Sequence, residues 1–126
     1  MELYIGGTAQ GKWTYVSQGR TFQADEVFDG ETDEDKMMEH AVIWNHYHRW
    51  FWRVLRQGDN PEELTRKWLR ANPGVQIISD EVGNGMIPMD PGERQYRERL
   101  GRMLCELAQT ADKVERILCG LGQRIK

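Results

Sequence analysis

The stretch LYIGGTAQGKWTYV, Leu3 to Val16, constrains the fold more than any other part of the chain. Glu2 to Ile5 reads as a short buried strand that stops at Gly6-Gly7, and Lys12 to Gln18 can open a helix. In a strand–glycine loop–helix unit, backbone N–H groups point into one concavity and the helix N-terminus adds partial positive charge. Gly6, Gly11 and Lys12 match G-x-x-x-x-G-K, in which the lysine brings a full charge to the outer phosphates of a nucleotide. The candidate nucleotide-binding set is therefore Gly6, Gly7, Thr8, Ala9, Gln10, Gly11, Lys12, Trp13 and Thr14. One position departs from the pattern. The Ser/Thr after the lysine ligates Mg²⁺ in such loops, and here it is Trp13. Thr14 comes one residue late, about 100° around a helix, and is a poor substitute. Trp13 could stack on a base or plug the site. Three readings stay open: a working nucleotide site, a modified one, or a glycine-rich turn that binds nothing.

The rest of the chain supplies more alternating elements. Thr21 to Phe28 is weakly extended, and DGETDEDK is acidic and turn-rich, which predicts a solvated loop. From Met37 to Leu55 apolar residues recur at helical spacing, up to a stop at Gly58. DNPEELTRKWLRANPG predicts a helix with Asn60 as N-cap, Pro61 in the first position and Asn72-Pro73-Gly74 as terminator. VQIIS predicts a buried strand. A long helix follows, with Tyr96, Leu100, Met103, Leu104, Leu107, Ala108 and Ala111 as its apolar stripe. Its arginines, Arg94, Arg97, Arg99 and Arg102, sit beside Glu93 and Glu98 and read as a solvated face with i,i+4 pairs. KVERILCG reads as the last strand, and LGQRIK closes the sequence. Strands alternating with helices imply a small, mainly parallel sheet flanked by helices, an α/β fold.

Length and charge narrow the options. The 126 residues suit one domain that buries its own core. A net charge of −3 advertises no nucleic-acid surface. No apolar run approaches the roughly 18 residues of a spanning helix, and MELYIGG lacks the basic region of a signal peptide, so the expected location is the cytoplasm. Cys105 and Cys119 show no metal or redox spacing and read as reduced thiols. His46 and His48 are two apart, so on a helix they could not share a metal, whereas on a strand they could; no metal-ligating residue is assigned. Trp44, Trp50, Trp52 and Trp68 read as core or interface, although an aromatic surface would also suit a large, partly apolar ligand.

The C-terminal half resembles the bifunctional adenosylcobinamide kinase / adenosylcobinamide-phosphate guanylyltransferase family. That family has a strand ending in N-E-V-G-x-G-I-V-P, a helix containing G-R-x-x-x-x-L-A-x-x-A-D, and then V-x-x-V-x-x-G-[LI]. The corresponding residues run from Asp80-Glu81-Val82-Gly83-Asn84-Gly85-Met86-Ile87-Pro88, through Gly101-Arg102, Leu107-Ala108 and Ala111-Asp112, to Val114–Leu121. The family's opening G-G-x-x-S-G-K-S matches Gly6-Gly7 and Gly11-Lys12. The resemblance covers about half the chain and implies a P-loop NTPase-like three-layer fold over a single shortened domain, 1–126. It also implies phosphoryl transfer from GTP or ATP, with Mg²⁺, to a hydroxyl of a cobinamide-like corrinoid in cobalamin biosynthesis. Homo-oligomers occur in the family. Lys12 and Glu81 are the residues to which it points for catalysis, Glu81 near the metal or the attacking hydroxyl.

The middle of the chain departs from the family. Relatives are longer and carry an arginine- and histidine-rich segment with a GMP-accepting histidine. Here that interval is short and acidic, and its one histidine, His40, stands in no matching context, so the guanylyltransferase half is expected to be lost. A family strand ends in Asp or Glu where AVIWNHYHRW offers Asn45. Periodicity makes Ala41 to Trp44 helix and the resemblance makes it strand. The rival to a kinase is a non-catalytic relative that binds nucleotide or corrinoid, or serves as a subunit of a larger assembly.

Overall fold

A computed structural model describes residues 1–82 and 90–126. The Gly83-to-Pro88 part of the family-like segment lies outside the described residues. The strands are β1 (Glu2–Gly6), β2 (Val27–Asp29), β3 (Ile43–Asn45), β4 (Gln76–Asp80), β5 (Lys113–Leu118) and β6 (Leu121–Arg124). They form one six-stranded sheet in the order β2-β3-β4-β1-β5-β6. All neighbouring pairs are parallel except β5 and β6. The helices are α1 (Lys12–Ser17), α2 (Tyr47–Arg56), α3 (Pro61–Ala71) and α4 (Pro91–Thr110). The α/β architecture with a mainly parallel sheet between helices is the expected one.

Side chains of the strands alternate between two cores, as the pleat requires. Leu3, Trp44, Ile77 and Val114 join the larger core, with Tyr47, Trp50, Phe51 and Val54 of α2 and Leu100, Met103, Leu104 and Leu107 of α4. Tyr4, Ile43, Ile78 and Ile117 point the other way, where Val16 of α1 covers them with Tyr15 and Phe22 alongside. Helix α3 is braced from outside. Asn60 caps it by accepting from Glu63 N at 3.1 Å, and Arg99 of α4 grips Glu62 through two bonds of 2.7 and 2.9 Å. The arginine face of α4 is therefore only in part a set of local pairs. Arg97 holds Glu93 four residues back, but Arg99 reaches across to another helix.

The single helical face read over Met37 to Leu55 is three elements: a 3-10 turn over Asp35–Glu39, then β3, then α2. The reason is burial on both sides. β3 runs between β2 and β4, with Ile43 and Trp44 fully buried toward opposite faces. A strand of that kind is apolar without alternation, and its residues add to a helical count. The question at Ala41 to Trp44 thus resolves to strand at Ile43 and Trp44. The extended reading of Thr21 to Phe28 shrinks to Val27–Asp29, preceded by a 3-10 turn over Ala24–Glu26. LGQRIK contains an edge strand, because Cys119 and Gly120 both take positive φ, 51° and 76°, and turn the chain back on β5.

Candidate functional site

The parallel strands deliver their last residues to one edge of the sheet. Register pairs Gly6 of β1 with Asp80 of β4, and Asp29 of β2 with Asn45 of β3. Ligands of open α/β sheets sit outside such carboxyl ends. The glycine loop emerges there between β4 and β5. It turns into α1 through Gly11, whose φ of 83° is a conformation that favours glycine. Ala9, at φ 57°, takes the left-handed form without that freedom. The turn between β5 and β6 fastens the loop: Gly120 N donates to Gln10 O and Cys119 N to Gln10 Oε1, both at 2.8 Å.

The sequence-derived residues fall as follows. Gly7, Thr8, Gln10 and Lys12 are tied into a network, and Thr8 to Thr14 line a cavity of about 240 Å³. Gly6 closes β1 and accepts from Glu81 N at 2.9 Å. Lys12 is buried, and its Nζ lies 2.6 Å from Gly7 O and 2.7 Å from Asp80 Oδ1. Thr8 Oγ1 donates to Asp80 Oδ2 at 3.0 Å. Trp13 stands at the rim, 37% exposed, with its ring 5.8 Å from that of Phe22. Thr14 is exposed on the cavity wall. Glu81 is paired with Arg116 at 2.8 Å and borders a second chamber, so the acid against the lysine is Asp80. His40 is exposed beside Glu39 and lines no part of the loop cavity.

Two histidines at the start of α2, the N-cap His46 and His48 in the first turn, reach the site. His48 is nearly buried; its Nδ1 accepts from Asp80 N at 3.1 Å, and its Nε2 lies 3.4 Å from Asp80 Oδ2. With Nδ1 accepting, the neutral ring carries its proton on Nε2. Burial pushes the His48 imidazole down to about 4, the Asp80 carboxylate countering only in part. Burial also acts to raise Asp80, but the bond from Lys12, the charges of His48 and Lys12 and the Thr8 hydroxyl outweigh it and hold Asp80 below the usual carboxylate range. His46, which caps α2 at φ 53°, faces Asp29 instead, Nδ1 to Oδ1 2.9 Å. The rings of His46 and His48 are 6.1 Å apart, and both line the cavity. Trp44 and Trp50 are core, each with its indole N–H bonded, to Met38 O and to Asp35 Oδ1.

A second chamber of about 320 Å³ adjoins the first. Thr8, His48 and Asp80 border both, and Tyr96, Glu93 and Arg97 of α4 complete the second. Sequence reasoning named Asp80 only beside Glu81, and did not pair it with His48. The available signal was position, since Asp80 is the last residue of its strand and Glu81 the first beyond it.

Comparison with known proteins supplies a family likeness. A family model described as cobinamide kinase / cobinamide phosphate guanyltransferase matches residues 20–125, a span that starts after the glycine loop. The bifunctional adenosylcobalamin biosynthesis protein CobU of Escherichia coli (strain K12) is 30% identical over 79 residues, 61% of this chain and 44% of that protein. The protein of the same name from Salmonella typhimurium (strain LT2) is 35% identical over 57 residues, 45% of this chain and 32% of that protein. The chain thus spans less than half the length of these relatives.

Proposed function

This chain belongs to the cobinamide kinase / cobinamide phosphate guanyltransferase family of cobalamin biosynthesis, and on that premise we propose that it is a nucleotide-binding, kinase-like protein acting on a cobinamide-like hydroxyl. One observation carries the reading. A buried lysine, Lys12, ends at the carboxyl edge of a parallel sheet, inside a cavity walled by its own glycine loop. Its ammonium is held by Gly7 O and Asp80, a pairing that a phosphate group would compete for. The loop amides and Lys12 bind the phosphates of GTP or ATP. Asp80 stands where the two chambers meet, so an acceptor hydroxyl in the second chamber comes within reach of its carboxylate. Thr8 and His48 hold that carboxylate in place. Glu81, clamped by Arg116, shapes the acceptor side. Residues 1–126 work as one shortened P-loop-like domain, in the cytoplasm. The transfer of GMP falls away with the missing histidine segment.

Magnesium fits poorly in its usual place. Trp13 has no oxygen to offer at the hydroxyl position, and the Asn45 side-chain oxygen accepts from His46 N at 3.0 Å. The same features favour a second reading, a relative that binds nucleotide or corrinoid without turnover.

The experiment is calorimetric titration of GTP and ATP, with and without Mg²⁺, into wild type and Lys12→Ala, with a melting curve of each. Micromolar binding, weakened at least tenfold by the variant, supports the phosphate site. Phosphorylation of adenosylcobinamide then separates the kinase from the non-catalytic relative. No heat and no change in melting at millimolar nucleotide sinks both nucleotide readings.

A further inference from the structure

We propose that Asp29, Glu31 and His46 form a seat for a divalent transition-metal cation on the wall of the loop cavity. One ligating atom from each lies within 4.8 Å of the other two, an arrangement found once among the described residues. That spread is close to twice a metal–ligand bond of roughly 2.1 Å, so small side-chain adjustments bring all three onto one ion. Glu31 and His46 line the cavity that Lys12 and Thr8 enter from the other side of the site.

The set is built by backbone. Asp29 ends β2 and is in register with Asn45 of β3, which immediately precedes His46. Gly30 N donates to Asn45 O at 2.9 Å, and a Cβ on Gly30 would run into the His46 carbonyl, with Trp50 Cβ 2.9 Å away. Only glycine lets the two strand ends approach so closely. The turn is further fixed by Glu31 N on Asp29 Oδ1 at 3.0 Å and Asp29 N on Asp33 Oδ2 at 2.9 Å. The nearest competing cation on Glu31 is Arg49, with Nε 3.5 Å away on an exposed side chain.

The donors also select. Imidazole suits zinc, iron, nickel and copper, and carboxylates suit manganese and magnesium, so the mixture favours Mn²⁺ or Zn²⁺ over Mg²⁺. Three protein donors leave coordination positions for water or a phosphate oxygen. The seat thus supplies a cation to a cavity in which the Trp13 and Asn45 side chains do not. This deepens the nucleotide reading, because the ion would lie in the cavity assigned to the phosphates, but it is tested without nucleotide.

The test is titration of MnCl₂ into nucleotide-free protein, free Mn²⁺ being read from its paramagnetic resonance signal, with ZnCl₂ as competitor. One Mn²⁺ is expected per chain, displaced by Zn²⁺. Glu31→Gln and His46→Asn, the latter chosen because asparagine tolerates left-handed φ, should each weaken it at least tenfold with an unchanged melting curve. No binding at millimolar Mn²⁺, or equal binding in wild type and Glu31→Gln, overturns the proposal. Nucleotide titration in EDTA keeps the readings apart. Lys12-dependent nucleotide binding without any Mn²⁺ site removes the metal alone, whereas a Mn²⁺ site lost in both variants stands even if no nucleotide binds.

Discussion

On one side of the sheet, Leu3, Trp44, Ile77 and Val114 lie under α2 and α4, with α3 bolted on behind; on the other, Tyr4, Ile43, Ile78 and Ile117 have Val16 of a six-residue helix and a few half-buried aromatics. The first side has the large side chains, among them Trp44, Trp50, Tyr47 and Phe51, all fully buried. The second side has the glycine loop and buries a charge, Glu115, against its strands. Burial of apolar area is the main driving force for folding. Stability therefore concentrates on the helix-rich side, while the glycine loop leads through α1 into the thin one. A site residue on α1 can change state without disturbing most of the core.

The strongest way to test that contrast is to truncate the thick side. Phe51→Ala should lower the unfolding free energy by about 3–5 kcal/mol, read from urea denaturation, as core Phe truncations do. Nucleotide affinity per folded molecule should stay the same, because Phe51 borders neither chamber.

The next effect belongs to His48, which joins the thick side to the site. Its folded value of about 4 lies below the ordinary 6.5. Between those values the unfolded chain binds a proton that the folded chain does not, so stability is complete above pH 6.5 and falls as pH drops toward 4. The loss across that window is on the order of 2–3 kcal/mol. Asp80, depressed in the fold, adds a loss in the same direction at lower pH, below its ordinary 3.8. His48→Gln, which keeps an acceptor for Asp80 N, should flatten the dependence between pH 6.5 and 4. An unchanged slope in the variant would mean that His48 is solvated.

Val16→Ala probes the thin side. It removes roughly two methylene equivalents at ~0.8 kcal/mol each, so about 1–2 kcal/mol is expected from the same urea assay. A loss as large as that of Phe51→Ala would break the contrast, and would make α1 part of the structural core.

Much of the architecture was legible because local signals agreed with it. Asn60-Pro61 opened α3, the stripe from Leu100 to Leu107 described α4, and the glycine pair ended β1. Two kinds of feature were hidden. Elements buried on both faces lose their period, which is why β3 merged with its neighbours into one helical pattern. Groups assembled from distant segments leave no spacing to read. Asp29, Glu31 and His46 converge only because β2 and β3 pair, and DGETDEDK alone looked like a solvated loop. The choice between Asp80 and Glu81 hung on where β4 ends, since one step of a strand turns a side chain to the opposite face.

The smallest effect separates structure from function in the second chamber. Arg97 and Glu93 are 3.6 Å apart, one turn apart on α4, and both are partly exposed. Pairs of this kind contribute ~0.3–0.5 kcal/mol, so Arg97→Gln should leave the unfolding midpoint almost unmoved. Both residues border the chamber that shares Asp80 with the loop cavity. If an acceptor sits there, the same variant should raise its KM severalfold while nucleotide affinity holds. A stability loss above about 1 kcal/mol would instead make the pair structural. An unchanged KM would move the acceptor out of this chamber, and the assignment of Asp80 as the group that meets its hydroxyl would go with it.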